Sequence, residues 1–206
     1  MTRIDAPQLD QIRITFLVQI DFYCPRLAQF INCTPAFREC DEAHMRFYDD
    51  TASVALRYRA STPSIFDDLQ INISCRGLDQ LPSIEQVCTS SLQPLSTVED
   101  FYIDDRRWKI DAIENDLWLE LLLRFTAVKN LYMSERFAPG IAVALQELVG
   151  GRITEVLPSL ENIFVNGLES SGHFRENIGQ FVAARQLSNH PIAIHAWSPF
   201  SEMDPT

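Results

Sequence analysis

Val98-Glu99-Asp100-Phe101-Tyr102-Ile103-Asp104, Val128-Lys129-Asn130-Leu131-Tyr132-Met133-Ser134 and Leu160-Glu161-Asn162-Ile163-Phe164-Val165-Asn166 align without gaps. Each reads apolar, x, x, apolar, aromatic, apolar, polar, at spacings of 30 (98 to 128) and 32 (128 to 160) residues. One pattern repeated at a nearly fixed period marks a solenoid, in which each unit buries its apolar face only by stacking on its neighbours. The inner apolar-x-x-apolar-x-apolar is the strand portion of a leucine-rich repeat. Its period slightly exceeds the usual value of roughly 20–29 residues, which leaves room for a full helix in every unit.

Helical patterns fill the gaps. Asn115 or Asp116 can cap a segment whose Leu117, Trp118, Leu121, Leu122 and Phe125 share one face. Pro139 suits a first helical turn, Ile141, Ala142, Leu145, Leu148 and Val149 make the next stripe, and Gly150-Gly151 is expected to end it. Phe174, Ile178, Phe181, Val182 and Arg185 continue the rhythm until His190-Pro191, after which Ile192 to Trp197 alternates as a final strand. Upstream, Ser83 and Gln86 fit a capping box ahead of Ile84, Val87, Cys88 and Leu92.

The first half is less regular. Leu9-x-x-Ile12-x-Ile14 has the strand spacing, and Pro25, Leu27, Phe30 and Ile31 suggest a short helix. Ala43 to Tyr48, Ser53 to Arg59 and Leu69 to Cys75 alternate, with Asp49-Asp50-Thr51 as a hairpin turn. The expected fold is therefore α/β: a leucine-rich-repeat-like solenoid with a parallel curved sheet, helices on the convex side and a β-hairpin insertion in the N-terminal half. Residues 1–197 are read as one domain, 43–75 as its irregular insertion, Ala60 to Ser64 as a loop and 198–206 as a polar, acidic tail.

The stretch from Ser83 to Trp197 resembles the C-terminal leucine-rich-repeat region of F-box-like proteins of mushroom-forming fungi. The residues that carry the resemblance are Leu95-Ser96-Thr97-Val98-Glu99-Asp100, Phe125 to Tyr132, Ala144-Leu145-Gln146-Glu147-Leu148-Val149-Gly150-Gly151-Arg152, Thr154-Glu155-Val156-Leu157-Pro158 and Phe181-Val182-Ala183-Ala184-Arg185-Gln186. A weaker likeness at Asp41 to His44 and Leu69 to Ser74 extends it over most of the chain. The resemblance implies a leucine-rich-repeat fold and, in complete members, a substrate-receptor role in ubiquitin ligase assemblies. No F-box motif is found in this sequence, so a ligase adaptor is an expected partner only if one lies upstream. A solenoid needs a capping unit at each end, and a strand near Leu9 with none before it suggests a fragment of a longer protein.

Composition narrows the alternatives. A net charge of −11 repels phosphate backbones. Arg57-Tyr58-Arg59 and Arg106-Arg107-Trp108-Lys109 are too short to outweigh that sign, so nucleic acid is not an expected partner. The longest apolar run, Leu117 to Val128, is broken by Glu120 and Arg124, and Met1 to Leu9 hold no apolar signal core. The chain is thus expected inside the cell, cytoplasmic or nuclear, and off the membrane. Five cysteines without C-x-x-C spacing read as reduced thiols, neither a disulfide frame nor a zinc site.

The motifs of chemistry are missing. There is no nucleophile elbow, Walker loop or dinucleotide fingerprint. His44, His173, His190 and His195 form no ligand spacing, so no metal or cofactor is expected. Gly150-Gly151-Arg152 follows a helix and does not lead one. Asp49-Asp50, Asp67-Asp68 and Asp104-Asp105 fit turns, where aspartate is favoured for local reasons. The sequence reads as a non-catalytic recognition module of the F-box receptor kind or, alternatively, as a free-standing leucine-rich-repeat scaffold with no ubiquitin link.

Its binding face follows from alternation. The apolar positions of each strand turn toward the helices, and Tyr102, Tyr132 and Phe164 form a column on the open, concave side. Stacked there, they stabilise the sheet by cross-strand contact; exposed, they make the apolar centre of an interface. Asp104, Ser134, Asn166 and His195 complete the expected partner-binding set, with Glu99, Asp100, Lys129, Asn130, Glu161 and Asn162 flanking it. The acidic members favour a protein partner with exposed Lys or Arg.

Overall fold

Alternation of apolar and polar residues makes the strands, and a pair of aspartates turns the first hairpin. The computed structural model describes residues 11–17, 25–34, 37, 40–57, 69–75, 79–105, 115–148, 150–167 and 172–198. In chain order these form β1 (Ile12–Leu17), α1 (Pro25–Cys33), β2 (Glu42–Phe47), β3 (Thr51–Arg57), β4 (Leu69–Ser74), α2 (Gln80–Ser91), β5 (Asp100–Asp105), α3 (Asn115–Leu122), β6 (Asn130–Met133), α4 (Ala138–Gln146), β7 (Asn162–Asn166), α5 (Gly172–Leu187) and β8 (Ala193–Trp197). Leu9, Cys24, Tyr58-Arg59, the Ala60–Ser64 loop, Asp67-Asp68, the cluster Arg106 to Lys109, Val149 and the tail beyond Ser198 lie outside the described residues.

The eight described strands join in one sheet, in the order β1-β4-β3-β2-β5-β6-β7-β8. Neighbours are parallel throughout, except that β3 runs against both β2 and β4. The chain is thus an α/β fold with a mostly parallel sheet. The Asp49-Asp50 turn closes as expected, with Tyr48 N–H donating to Thr51 O at 2.8 Å. The expected hairpin insertion, however, is no appendage. Once β3 pairs antiparallel with β2, its free edge takes β4, and β4 takes β1, so two strands, β4 and β3, stand between the first strand and the parallel run that begins at β2.

One face of the sheet is buried under helices. Met45 and Phe47 of β2, Ile71 and Ile73 of β4, Phe101 and Ile103 of β5, Leu131 and Met133 of β6, and Ile163 and Val165 of β7 join a single core. Trp118, Leu121, Ile141, Leu145, Phe174 and Ile178 from the helices complete it. On β5, β6 and β7 the intervening residues stay partly open, apart from Asp100. At about 25 cal/mol per Å² of apolar surface removed from water, this shared core is the main reason the helices stay on that side. β3 differs, because Ser53 and Ala55 are buried on its other face as well.

Several local expectations are corrected. Ser83 is not a helix cap: α2 starts three residues earlier, at Gln80, with Pro82 accommodated in the first turn. Gln80 anchors that start, its amide Nε2 donating to Tyr48 O at 2.8 Å and Cys75 O at 3.3 Å. Gly150-Gly151 does not end α4, which stops at Gln146; the pair opens a 3-10 helix, Gly150–Thr154. Asp104 and Asp105 close β5 and form no turn, and Asp105 pairs with Arg136 at 3.2 Å. α5 ends before His190-Pro191. Asn189, at φ 63, turns the chain so that its N–H meets Gln186 O at 3.1 Å and the N–H of His190 meets Arg185 O at 2.9 Å. That is a Schellman termination, with asparagine where glycine is more usual.

Arg185, counted in the apolar stripe, is fully buried. Its guanidinium donates to the carbonyls of Leu160 (3.1 Å), Pro158 (3.3 Å), Leu157 (3.4 Å) and Ile153 (3.5 Å), tying the segment before β7 to α5. Burial pulls its pKa below the usual arginine value. A charge in such a place is tolerated because the carbonyl oxygens replace water around it.

Candidate functional site

The register that makes the sheet also aligns its rings. Tyr102 stands opposite Tyr132, Tyr132 opposite Phe164, and Phe164 opposite His195 on four successive parallel strands. Their ring planes stack: Tyr102–Tyr132 centroids lie 4.2 Å apart, Tyr132–Phe164 4.5 Å and Phe164–His195 4.9 Å. These separations match the roughly 4.8 Å interval between strands, so the sheet itself imposes the stacking distance.

The ladder is longer than the repeat suggested. His44 of β2 faces Tyr102 and stacks on it at 4.4 Å. Five rings, His44-Tyr102-Tyr132-Phe164-His195, therefore run unbroken across β2, β5, β6, β7 and β8. His44 Nε2 meets Glu42 Oε1 at 2.5 Å, and Arg57 lies 3.7 Å from the same carboxylate. Burial lowers the His44 pKa more than its Glu42 bond raises it. A signal for His44 existed in the sequence: Glu42-Ala43-His44-Met45 repeats the polar, apolar, ring, apolar order of Asp100-Phe101-Tyr102-Ile103.

A second ladder runs beside the first, two residues earlier on each strand. Asn130 Nδ2 donates to Asp100 Oδ1 at 2.6 Å, Asn162 Nδ2 donates to Asn130 Oδ1 at 2.8 Å, and His195 Nε2 lies 3.2 Å from Asn162 Oδ1. With Nε2 protonated, His195 donates too, and every bond in the row points toward the Asp100 carboxylate. Asp100, Asn130 and Asn162, expected to flank the ring column, are thus engaged across strands. Lys129 and Glu99 pair at 2.7 Å just outside them.

Trp197 is more than the end of a strand. Alternation sets it on the same face as His195, and its indole leans across to Tyr132 (5.4 Å, 64° between planes) and Tyr102 (6.0 Å, 56°). Of the remaining expected residues, Asp104 and Asn166 lie two positions beyond Tyr102 and Phe164 and are partly open. Ser134 does not belong to an open rim. It is 3% exposed, its hydroxyl has no hydrogen-bond partner among the described residues, and its carbonyl receives the N–H groups of Phe137 and Ala138 at the entrance to α4.

No family model, curated protein or solved structure matches this chain. Among the described residues no cluster of three or more His, Cys, Asp or Glu could hold a metal ion, and no helix is long and apolar enough to cross a membrane. The described cysteines Cys33, Cys40, Cys75 and Cys88 are free thiols, and burial raises the pKa of Cys75 and Cys88. What the face offers is a wall of ring edges between two polar rows.

Proposed function

We propose that this chain is a non-catalytic protein-recognition module, a leucine-rich-repeat-like solenoid that holds a protein partner on the open face of its sheet. The observation that carries the reading is the five-ring ladder on the face opposite the helices. Aromatic residues fixed by their neighbours present contact area without losing further side-chain freedom on binding, which is why such residues dominate interface energetics.

The solenoid part of the reading rests on repetition beyond the side chains. Asp41 O accepts the N–H groups of Glu99 and Asp100, Glu99 O those of Lys129 and Asn130, and Lys129 O those of Glu161 and Asn162, all at 2.8–3.1 Å. Ala193 N–H meets Glu161 O in the same way at 2.9 Å. Each unit thus hands the same backbone contact to the next. The unit from Asp41 to Glu99 is about twice as long as the others because it carries β3, β4 and α2.

By the resemblance to fungal F-box-like proteins, the partner would be the target held by a ubiquitin ligase receptor, with the adaptor bound elsewhere on a longer chain. The test is affinity capture at a temperature where all variants stay folded. A protein retained by the wild-type chain should be lost with Tyr132→Ala combined with Phe164→Ala. An unchanged set of captured proteins would defeat the reading of the face. Recovery of a ligase adaptor only with a chain that carries an F-box separates the receptor role from a free-standing scaffold.

A further inference from the structure

The indole of Trp197 meets Tyr102 and Tyr132 at about sixty degrees and does not stack in line with them, so three aromatic surfaces form a corner. The positions next to that corner are polar. Asp104 follows Tyr102 by two residues, and Asn166 follows Phe164 by two and pairs with Trp197 itself. Alternation puts both on the side of the rings. Glu135 adds a carboxylate at the same rim: a methyl group placed on Gly167, just past β7, would come within 2.5 Å of its Oε2.

We propose that this corner takes the guanidinium of one arginine from the bound protein. The inference rests on the recognition reading above and names the partner's anchor. A guanidinium is planar and stacks on an indole, and it carries five N–H donors in a fixed fork. Asp104, Glu135 and Asn166 supply separated acceptors beside the aromatic corner, which suits a forked donor better than the compact ammonium of lysine. Arg46 stands opposite Asp104 on β2, so the exposed Glu135 is the carboxylate of the corner with no cation set across from it in the sheet register. The acidic character of the whole chain, −11, draws a basic partner toward the face.

The experiment is selection of a random twelve-residue peptide display library on the full chain, followed by affinity measurement with synthetic peptides. Peptides should converge on an arginine at one position. Its replacement by citrulline, which keeps the shape and removes the charge, should weaken binding about tenfold or more. Trp197→Ala and Glu135→Gln should do the same, while Glu155→Gln, an equal change of charge on an exposed residue outside the corner, should not. Peptides that need Tyr132 and Phe164 but carry no fixed arginine, tolerate lysine equally, or ignore Trp197→Ala would overturn the anchor and leave the face intact. Selected peptides indifferent to Tyr132 and Phe164, or no binders at all, would overturn both. Melting temperatures of each variant separate lost binding from lost fold.

Discussion

Tyr132→Ala removes the middle rung of the ring ladder, and its cost can be worked from the ring pairs it deletes. The ring is stacked on Tyr102 on one side and Phe164 on the other, with the Trp197 edge against it. An aromatic pair contributes about 0.5–1.5 kcal/mol beyond the area it buries, and Tyr132 is only half-buried, so deleting its three ring pairs should cost about 2–3 kcal/mol. For a chain of 206 residues each kcal/mol shifts Tm by roughly 2–4 °C, which gives a fall of about 4–12 °C. His195→Ala ends the ladder at a strand edge, loses one stack at 4.9 Å and one bond to Asn162, and should cost only about 1 kcal/mol. Thermal and urea denaturation of both, with a Tyr102/Tyr132 double-mutant cycle, read the difference. A coupling near zero in that cycle, or equal losses at the middle and at the edge, would mean that the rings lie in register without stabilising one another. Tyr132→Phe keeps the stack and should leave Tm unchanged.

Other outcomes follow from single features. Arg185→Met should destabilise by about 2–4 kcal/mol, because the carbonyls of Pro158 and Leu160 lose a charged donor inside the core; a variant as stable as wild type would mean that burying the guanidinium costs as much as its bonds return. His44, with its folded pKa below 6.5, favours the neutral form, so its contribution to stability is present above pH 6.5 and declines as pH falls through the folded value. Urea midpoints of His44→Gln should therefore lose part of the fall that wild type shows below pH 6.5, and parallel curves for the two would contradict it. Gly167→Ala should cost about 1–2 kcal/mol from its positive φ of 70, plus a clash with Glu135. Adding Glu135→Ala should recover only the clash, as read by calorimetry.

The parallel half was legible because period and alternation agree: Val98, Val128 and Leu160 fix the units, and the pleat fixes which side Tyr102, Tyr132 and Phe164 take. The place of β2 was not, since nothing local decides whether β2 or β4 lies beside β5. His44 was missed for that reason, although its polar, apolar, ring order was visible. Ser134 was misplaced because the strand pattern extends one residue further than the open face does, and its carbonyl turns into α4. Trp197 lies outside the repeated segments, and its lean across two strands depends on side-chain torsions that no pattern encodes. Arg185 fell within a helical stripe of apolar residues, and only the carbonyls gathered near Leu157 explain why a cation replaces one there.

The splice of β3 and β4 between β1 and β2 has a consequence for how the chain assembles. From β5 onward, paired residues such as Asn130 and Asn162, or Asn162 and Ala193, are about thirty positions apart, so strands can zip up in order over loops of similar size. β1 has no such neighbour: Ile12 meets Leu69 and must wait until the hairpin has delivered β4. Hydrogen exchange should find its amides the first in the sheet to open, and refolding should protect them last.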